Sequence, residues 1–316
     1  MEGQRPDGAR VNGTRVAGQA PTALLVGPGW RGYGDRLLVC LLTLIDPHGY
    51  SWLLYRLTRC RTPWLKNTLI ALATVFFRID LDEAESALCD HYATFNDFFT
   101  RALRPGVRPI AADPLALVSP VDARVSAAGA IEGGTLLQVK GHRYSAAALL
   151  GDAGLAAAFA DGQFATLYLS PRDYHRVHLP IAGRLTRMAH IPGALFSVSP
   201  SHQRAVPGLF ARNERIVCLF ATEIGPLAVC LVGAAGVGSM ATVWAGEITP
   251  PYGRAGPTVT EYGATGPSFR KGEEIGRFQM GSTVVLLFPP GAVVLLPEVV
   301  PGEVVRLGVP LARIQR

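Results

Sequence analysis

Three short segments, far apart in the sequence, carry side chains that could act together on a carbonyl group. Asp122 follows a Ser-Pro-Val run, His175 and His178 lie three residues apart, and Ser282 follows Gly281 directly before an apolar stretch. Serine is a weak nucleophile unless an imidazole removes its proton and a carboxylate orients that imidazole. Each residue alone has an ordinary explanation as a turn, surface or strand-start residue. Their combination predicts nucleophilic chemistry at Ser282.

Two known types of site that use such residues, a serine hydrolase site and a zinc site, fit the sequence poorly. A serine hydrolase would carry a Gly-x-Ser-x-Gly elbow, but Ser282 stands between Met280-Gly281 and Thr283-Val284. A zinc site is not expected either, because no His-Glu-x-x-His motif is present and a three-residue spacing near a strand end places His175 and His178 on opposite faces. We therefore predict no metal, and a serine hydrolase is the weakest of the alternatives.

Short strands are predicted to position these residues. The candidates are apolar or β-branched runs bounded by Gly and Pro, at residues 164–169, 216–221, 227–232, 283–288 and 293–296. The fold class predicted is α+β, with one β-rich catalytic domain over residues 80–316 and a helical N-terminal region. Within that domain, helical spacing of Leu81, Ala84, Leu88, Tyr92 and Phe95 predicts a helix that starts near Asp80 and ends before Arg104.

The N-terminal region differs in composition from the rest of the chain. Residues 1–34 are rich in Gly, Arg, Ala and Pro and are expected to form a flexible tail without the order of a signal peptide. Residues 35–79 contain apolar runs at 37–45 and 69–77, each well short of the roughly twenty residues of a spanning helix. Aromatic residues and seven Lys and Arg against two Asp over residues 28–79 favour an amphipathic, membrane-binding region, although an ordinary pair of core helices explains them equally well.

Composition narrows the function classes further. The 316 residues are 49% hydrophobic, which is ample for a core, and carry a net charge of +6 that favours an anionic partner. No zinc-finger spacing or lysine-dense stripe supports a nucleic-acid partner. The five cysteines are scattered and odd in number, so neither a disulfide framework nor a zinc knuckle is expected, and a cytoplasmic setting fits best.

Five segments occur in an order that resembles one known family. They are Thr94 to Phe99, Lys140 to Ser145, Tyr168 to His178, Leu209 to Arg215 and Thr242 to Gly246. With Gly281-Ser282-Thr283, they resemble the proenzymes of bacterial phosphatidylserine decarboxylases over roughly residues 80–288.

The resemblance implies that the protein cuts its own Gly281–Ser282 bond. Large chain 1–281 and small chain 282–316 would then stay together as a heterodimer, with further dimerisation possible. The family's relay falls on Asp122, His178 and Ser282, with His175 and Asp173 assisting. Ser282 would become a pyruvoyl group, the covalent cofactor, which forms a Schiff base with phosphatidylserine and acts as an electron sink while CO2 leaves and phosphatidylethanolamine forms. Such an enzyme of phospholipid biosynthesis would sit peripherally on the cytoplasmic side of the cell membrane.

Several points remain open from the residues. Arg212 and Arg215 are candidates for holding the lipid phosphate or a carboxylate, or are simply surface arginines. Met280 replaces the usual Leu of the cleavage motif, and Ala123 replaces the usual Gly after Asp122, which could tighten the turn that places Asp122. The alternatives in other classes are a catalytically silent lipid-binding homologue and a different pyruvoyl-dependent decarboxylase.

Overall fold

The computed structural model describes residues 47–235, 239–249, 256–279 and 282–315. The predicted tail, the apolar run 37–45 and Gly281 lie outside these residues. The helices are α1 (Pro47–Thr58), α2 (Pro63–Phe77), α3 (Phe95–Phe99), α4 (Ala146–Leu150), α5 (Ala153–Ala157), α6 (Pro200–Ala205) and α7 (Leu209–Arg212). Single 3-10 turns occupy Cys89–His91, Val139–Gly141 and Gly263–Thr265.

Strands make up most of the regular structure. In chain order they are β1 (Ala116–Val118), β2 (Ala123–Ala130), β3 (Thr135–Leu137), β4 (Arg143–Ser145), β5 (Gln163–Tyr168), β6 (Arg176–His178), β7 (Gly183–Ile191), β8 (Arg215–Thr222), β9 (Gly225–Val232), β10 (Met240–Thr242), β11 (Gly246–Thr249), β12 (Thr258–Glu261), β13 (Ser268–Phe269), β14 (Glu274–Phe278), β15 (Thr283–Phe288), β16 (Val293–Leu295), β17 (Val304–Val305) and β18 (Pro310–Ile314). The β-rich α+β prediction is confirmed, and all five predicted strands are present.

A large antiparallel sheet forms the body of the protein. In the described part of the chain its order is β12-β7-β8-β9-β15-β5-β2-β17, with β13 paired to β7. Strand β15 lies between β9 and β5, so both of its edges are hydrogen-bonded. Its six residues are all buried, as expected for a β-branched and aliphatic run in the middle of a sheet.

Both faces of this sheet are covered. Val284, Leu286 and Phe288 belong to one hydrophobic cluster, whereas Val285 and Leu287 belong to another. Successive side chains of a strand point to opposite faces, so β15 contributes to two cores at once. This double burial fixes the register of β15 and thereby the position of its first residues.

A second, four-stranded sheet carries the histidine segment. Its order is β11-β10-β14-β6, and β14 pairs with β6 so that Glu274 lies opposite His178. The backbone N–H of Phe278, at the end of β14, donates to the carbonyl of His175 at 3.0 Å. The chain then leads from Phe278 towards Ser282, so the two sheets bring the histidine segment and the serine to the same part of the molecule.

Helices α1 and α2 follow each other at the N-terminal end of the described chain and are called the helical pair below. Pro63 begins α2, where its missing N–H is no loss, and α2 packs through Ile70 and Ala73 into a cluster with the phenylalanines of α3. On the other side, Trp64, Val75 and Phe76 are mostly exposed. None of the described helices is long and apolar enough to cross a membrane.

The helix predicted from Asp80 to before Arg104 is wrong. The segment forms turns, one 3-10 turn and the short helix α3 instead. The N–H of Glu85 donates to the carbonyl of Ala102, and the N–H of Arg104 donates to that of Glu83, both at 2.9 Å. These contacts fold the segment back on itself, and such non-local pairing overrides a helical spacing of apolar residues.

Candidate active site

Ser282 lies immediately before β15 and is completely buried. Its carbonyl accepts a hydrogen bond from the N–H of Leu169 at 2.9 Å, and its neighbour Thr283 stands opposite both Tyr168 and Val232. The backbone of Ser282 is therefore held by the sheet. In contrast, its Oγ has no hydrogen-bond partner among the described residues. A buried hydroxyl without a partner is unusual in a stable core and is typical of a group kept for chemistry.

His175 is also completely buried, and its two ring nitrogens have different surroundings. Nδ1 lies 2.7 Å from the carbonyl oxygen of Asp173, which can only accept, so Nδ1 carries the proton. Nε2 is left as a bare acceptor without a partner among the described residues. The ring packs on Phe99 with centroids 4.2 Å apart. Burial lowers the pKa of His175 to about 3, so the imidazole is neutral at physiological pH.

His178 ends β6 and makes a hydrogen bond through each ring nitrogen. Nδ1 donates to the carbonyl of Gly272 at 2.9 Å, and Nε2 accepts from the hydroxyl of Tyr174 at 3.2 Å. The two rings are stacked. Burial is the main cause that lowers the pKa of His178, opposed by the Gly272 hydrogen bond and by the charges of Glu274 and Asp122. His178 is thus a neutral base whose Nε2 is covered by a phenol.

Asp122 is held by Arg108. The Nε of Arg108 lies 3.0 Å from each carboxylate oxygen, Nη2 lies 2.7 Å from Oδ2, and the N–H of Leu307 donates to Oδ1 at 2.8 Å. Arg108 also bridges to Glu83 at 2.6 Å. The direct Asp122–His178 hydrogen bond expected for a relay is therefore absent between these two described residues, although the charge of Asp122 still acts on the imidazole. A carboxylate this well bound by a guanidinium is not free to orient a second partner.

Asp173 shapes the turn that presents the histidines. Its Oδ2 accepts from the N–H and the hydroxyl of Ser170 at 2.7 and 2.6 Å, while its own carbonyl fixes the tautomer of His175. Burial raises the pKa of Asp173, and the two Ser170 hydrogen bonds oppose that rise. Asp173 therefore acts on the site through the backbone of the turn and through its neighbour His175.

The two candidate phosphate-binding arginines have different environments. Arg215 is buried and donates to the carbonyls of Ala148, Leu149 and Asn213 at 2.6–2.8 Å, so its guanidinium stabilises the scaffold. Arg212 lies over the ring of Phe196 at 4.8 Å. A phosphate-binding role of either arginine remains a prediction.

An apolar cavity of about 210 Å³ lies beside the serine. Leu169, whose N–H binds Ser282, lines it together with Tyr168, and the cavity continues to Phe95 and Phe99 of α3. Tyr50 and Leu54 of α1 and Phe77 of α2 close its other side. The helical pair therefore forms part of the wall of this cavity.

Sequence reasoning missed three residues that shape the site. Tyr174 covers His178, Phe99 packs on His175, and Arg108 holds Asp122. Tyr174 and Phe99 lie inside the segments that carried the family resemblance, so their position was available as a signal.

Among the described residues, no group of three His, Cys, Asp or Glu side chains could hold a metal ion.

A buried serine before β15 and two neutral histidines in and beside β6 therefore make up the candidate active site, between two antiparallel sheets. The phosphatidylserine decarboxylase family profile matches residues 95–313, which is more than half of the chain. Proteins named phosphatidylserine decarboxylase proenzyme are similar over most of their length. The protein of Acidovorax ebreus is 53% identical over 280 residues, covering 88% of this chain and 98% of its own. That of Methylibium petroleiphilum is 57% identical over 238 residues, covering 75% and 83%.

The similarity also extends to a relative with lower sequence identity. The proenzyme of Shewanella sediminis is 46% identical over 286 residues, covering 89% of this chain and 99% of its own. The chain belongs to the phosphatidylserine decarboxylase family. It is an enzyme, a carboxy-lyase made as a proenzyme that is processed autocatalytically.

Proposed function

We propose that this protein cuts its own Gly281–Ser282 bond, converts Ser282 into a pyruvoyl group and uses that group to decarboxylate phosphatidylserine to phosphatidylethanolamine. The observation that carries the proposal is the Oγ of Ser282, which is buried, has no partner in the described part of the chain and stands directly before a strand paired on both edges. The family membership and the names of the relatives support the substrate.

Self-cleavage needs only groups of this chain and one water molecule. A histidine takes the Ser282 hydroxyl proton, and Oγ attacks the carbonyl carbon of Gly281, so the amide becomes an ester and the nitrogen of residue 282 becomes an amine. Elimination across the Cα–Cβ bond of residue 282 then releases the Gly281 carboxylate. Water replaces the nitrogen, ammonia leaves, and the ketone of a pyruvoyl group remains at the start of a 35-residue small chain.

His178 and His175 are assigned different roles. His178, with the charge of Asp122 nearby, is the proposed base of self-cleavage, and Tyr174 must release its Nε2 for this step. His175 is the proposed proton carrier of the decarboxylation, because its Nε2 has no competing partner within the described residues. An anionic substrate close to His175 would raise its pKa and allow the imidazole to carry a proton that it does not hold in the free enzyme.

The surroundings of Ser282 suit the prosthetic group that its conversion would create. Once formed, the pyruvoyl carbonyl supplies an electron sink for the bond that breaks when CO2 leaves. Pairing of β15 with β9 and β5 would keep the small chain in the heterodimer after cleavage. The buried position of Ser282 keeps bulk solvent away from the reacting atoms, which strengthens the electrostatic interactions there.

The apolar cavity and the helical pair account for a lipid substrate. A two-chain lipid barely leaves the bilayer, so the site must come to the membrane. Trp64, Val75 and Phe76 present exposed apolar surface on α2, while α1 and α2 also line the cavity beside Ser282. We infer peripheral binding to an anionic membrane on the cytoplasmic side, with the helical pair guiding the lipid from the bilayer into the cavity.

Intact-mass analysis under denaturing conditions tests the proposal. Purified protein should separate into chains 1–281 and 282–316, with the small chain blocked to Edman degradation, and should release CO2 from phosphatidylserine but not from free serine. A single full-length chain without lyase activity would identify a silent lipid-binding homologue. Two chains that act on a soluble amine precursor would identify a different pyruvoyl-dependent enzyme. His178→Ala should fail to cleave, and normal cleavage by that variant would refute its assignment as the base.

A further inference from the structure

A second, polar cavity of about 260 Å³ is lined by residues of the turn that carries the histidines. Residues of one continuous segment divide the two cavities between them. Leu169 and Pro171 line the apolar cavity, whereas Arg172, Asp173 and Tyr174 line the polar one. A molecule with an apolar part and a charged part would thus find both kinds of surface beside the same turn.

Arg101 is the unusual member of the polar cavity. Its side chain is only 4% exposed, yet Nε and Nη1 have no hydrogen-bond partner among the described residues. Nη2 makes one long contact, 3.4 Å to the carbonyl of Arg172, and the guanidinium lies 5.5 Å from the centre of the Phe98 ring. A buried guanidinium is always charged and normally satisfies its donors with a carboxylate, a phosphate or several carbonyls.

Four carboxylates line the cavity, and none of them satisfies Arg101. Asp122 and Glu83 are both bound by Arg108, Asp173 accepts from Ser170, and Asp80 accepts from the N–H of Asp82. The first three act on Arg101 through their charges, but none of the four forms a hydrogen bond with its Nε or Nη1. The comparison with Arg215 is direct, since that equally buried guanidinium has three backbone carbonyls as partners. Nε and Nη1 of Arg101 have no acceptor among the described residues, and an anion from outside the chain would supply one.

Arg101 also lies close to the reacting groups. It follows α3 by two residues, and Phe99 at the end of α3 packs on His175. Among the causes that lower the pKa of His175, burial is the largest, and the positive charge of Arg101 acts in the same direction. An anion bound to Arg101 would therefore sit within electrostatic reach of the proposed proton carrier.

Building on the proposed function, we propose that Arg101 binds the phosphodiester of the lipid headgroup in this polar cavity. The serine carboxylate is the less suitable occupant, because a guanidinium on the group that leaves as CO2 would stabilise the ground state and slow decarboxylation. A phosphodiester keeps its charge throughout the reaction, so its binding energy serves to position the headgroup. Arg101 is thus a specificity-determining residue for phospholipids over free amino acids.

Steady-state kinetics of the processed full-length enzyme test this role. Arg101→Gln should raise KM for phosphatidylserine in mixed micelles about tenfold or more, with kcat reduced much less, since one charge-assisted contact to the substrate is lost. Arg306→Gln is the matched control, because Arg306 lines the same cavity but is exposed and pairs with Glu83. Arg101→Lys keeps the charge, should recover part of the affinity, and reports on the site if the Gln variant does not fold.

Competition separates the possible anions. Glycerol 3-phosphate and inorganic phosphate should inhibit the wild type competitively and lose that effect in Arg101→Gln, whereas free serine should not compete at Arg101. Inhibition by free serine that depends on Arg101 would overturn the phosphodiester assignment in favour of the carboxylate. If the wild type is active and Arg101→Gln has the same KM and the same inhibition by phosphate, the inference is overturned. The proposed function is then left intact.

The proposed function can fail independently of this site. In that case the wild type would remain one chain without lyase activity, and binding of inorganic phosphate would still be measurable as a rise in Tm at constant ionic strength. Such a rise, lost in Arg101→Gln and kept in Arg306→Gln, would support an oxyanion site. Its absence in the wild type would contradict one.

Discussion

Strand β15 and the helical pair α1–α2 are both strongly apolar, but their side chains have opposite surroundings. Every residue of β15 is buried, and alternate residues enter two hydrophobic cores. On α2, Ile70 is buried whereas Phe76, six residues later, is 81% exposed. Burial of large apolar side chains is the main source of folding free energy, so β15 stabilises the body while one face of α2 contributes almost nothing to it.

The two regions also differ in the kind of group that lacks a favourable environment, which is polar and buried in β15 but apolar and exposed in the helical pair. At the start of β15 the hydroxyls of Ser282 and Thr283 are buried and find no partner among the residues that the structure describes, and a buried hydroxyl without a partner destabilises the folded state by about 1–3 kcal/mol. On the helical pair, several large aromatic and aliphatic side chains are exposed to solvent. Neither feature helps the isolated chain to fold, so both are best explained by what they contact during function. The comparison suggests that chemistry occurs at the first region and membrane contact at the second.

Removal of the Ser282 hydroxyl is expected to have the largest effect on self-cleavage. Ser282→Ala should stay a single chain of 316 residues with no detectable lyase activity, because the attacking oxygen is absent. Thr283→Val is the matched control, since it removes an equally buried, unpartnered hydroxyl but suits a strand. Denaturing mass analysis distinguishes the two variants. Loss of cleavage in Thr283→Val alone would mean that the wrong hydroxyl has been assigned.

The pH dependence of stability probes the burial of His175. Its pKa is lowered to about 3 in the folded protein from an unfolded value near 6.5, so between these values only the unfolded chain takes up the proton. The stability is complete above about pH 6.5 and is lost as the pH falls towards 3, with a slope of up to about 1.4 kcal/mol per pH unit.

Urea unfolding in the uncleavable Ser282→Ala background measures this slope in one continuous chain. His175→Gln should unfold with a shallower dependence between pH 6 and 4, because glutamine does not titrate. His91→Gln, at an exposed histidine, is the control. Identical slopes for His175→Gln and its parent would contradict the buried, neutral state of His175.

The two faces of α2 should respond to substitution in opposite ways. Ile70→Ala removes a buried side chain and should destabilise the folded protein by about 2–4 kcal/mol with little effect on lipid affinity. Phe76→Ser should change stability by less than about 0.5 kcal/mol but weaken vesicle binding about tenfold or more, since about 1.5–3 kcal/mol of apolar transfer is lost. Sedimentation with anionic vesicles and urea unfolding measure both quantities. Undiminished vesicle binding by Phe76→Ser would remove this face from the membrane contact.

The sequence was informative where local pattern and burial agree. The run from Val284 to Phe288 predicts a strand because β-branched and aliphatic side chains suit a doubly buried sheet position. The spacing of Leu81, Ala84 and Leu88 predicted a helix that does not form, because backbone pairing with residues 102–104 outweighs a weak local preference.

The detailed site could be predicted only in part. The resemblance named Asp122, His178 and Ser282, but the partner of Asp122 depends on Arg108 and Glu83, which approach from separate segments of the chain. Such contacts are set by tertiary packing and leave no periodicity in the sequence. The guanidinium of Arg101, two of whose nitrogens have no partner among the described residues, has the same origin, since burial of a single side chain is decided by the whole fold.

The smallest expected effect concerns the link between the two regions. Arg59, which directly follows α1, binds Glu247 through Nη2 and Oε1 at 2.6 Å, and the hydroxyl of Ser239 donates to the same carboxylate. The carbonyl of Ser239 in turn accepts from the N–H of Gln279 at 2.9 Å, three residues before Ser282. A chain of polar contacts therefore joins the helical pair to the segment that leads into β15.

This link should be energetically modest. The side chains of Arg59 and Glu247 are 23% and 33% exposed, so solvent screens their attraction and a double-mutant cycle of Arg59→Gln and Glu247→Gln should give a coupling below about 1 kcal/mol. The rate of self-cleavage should change less than about fivefold in Arg59→Gln, because the sheet already fixes the backbone of Ser282. A much larger loss would mean that the position of the helical pair controls the cleavage site, and the two regions would then act as one unit.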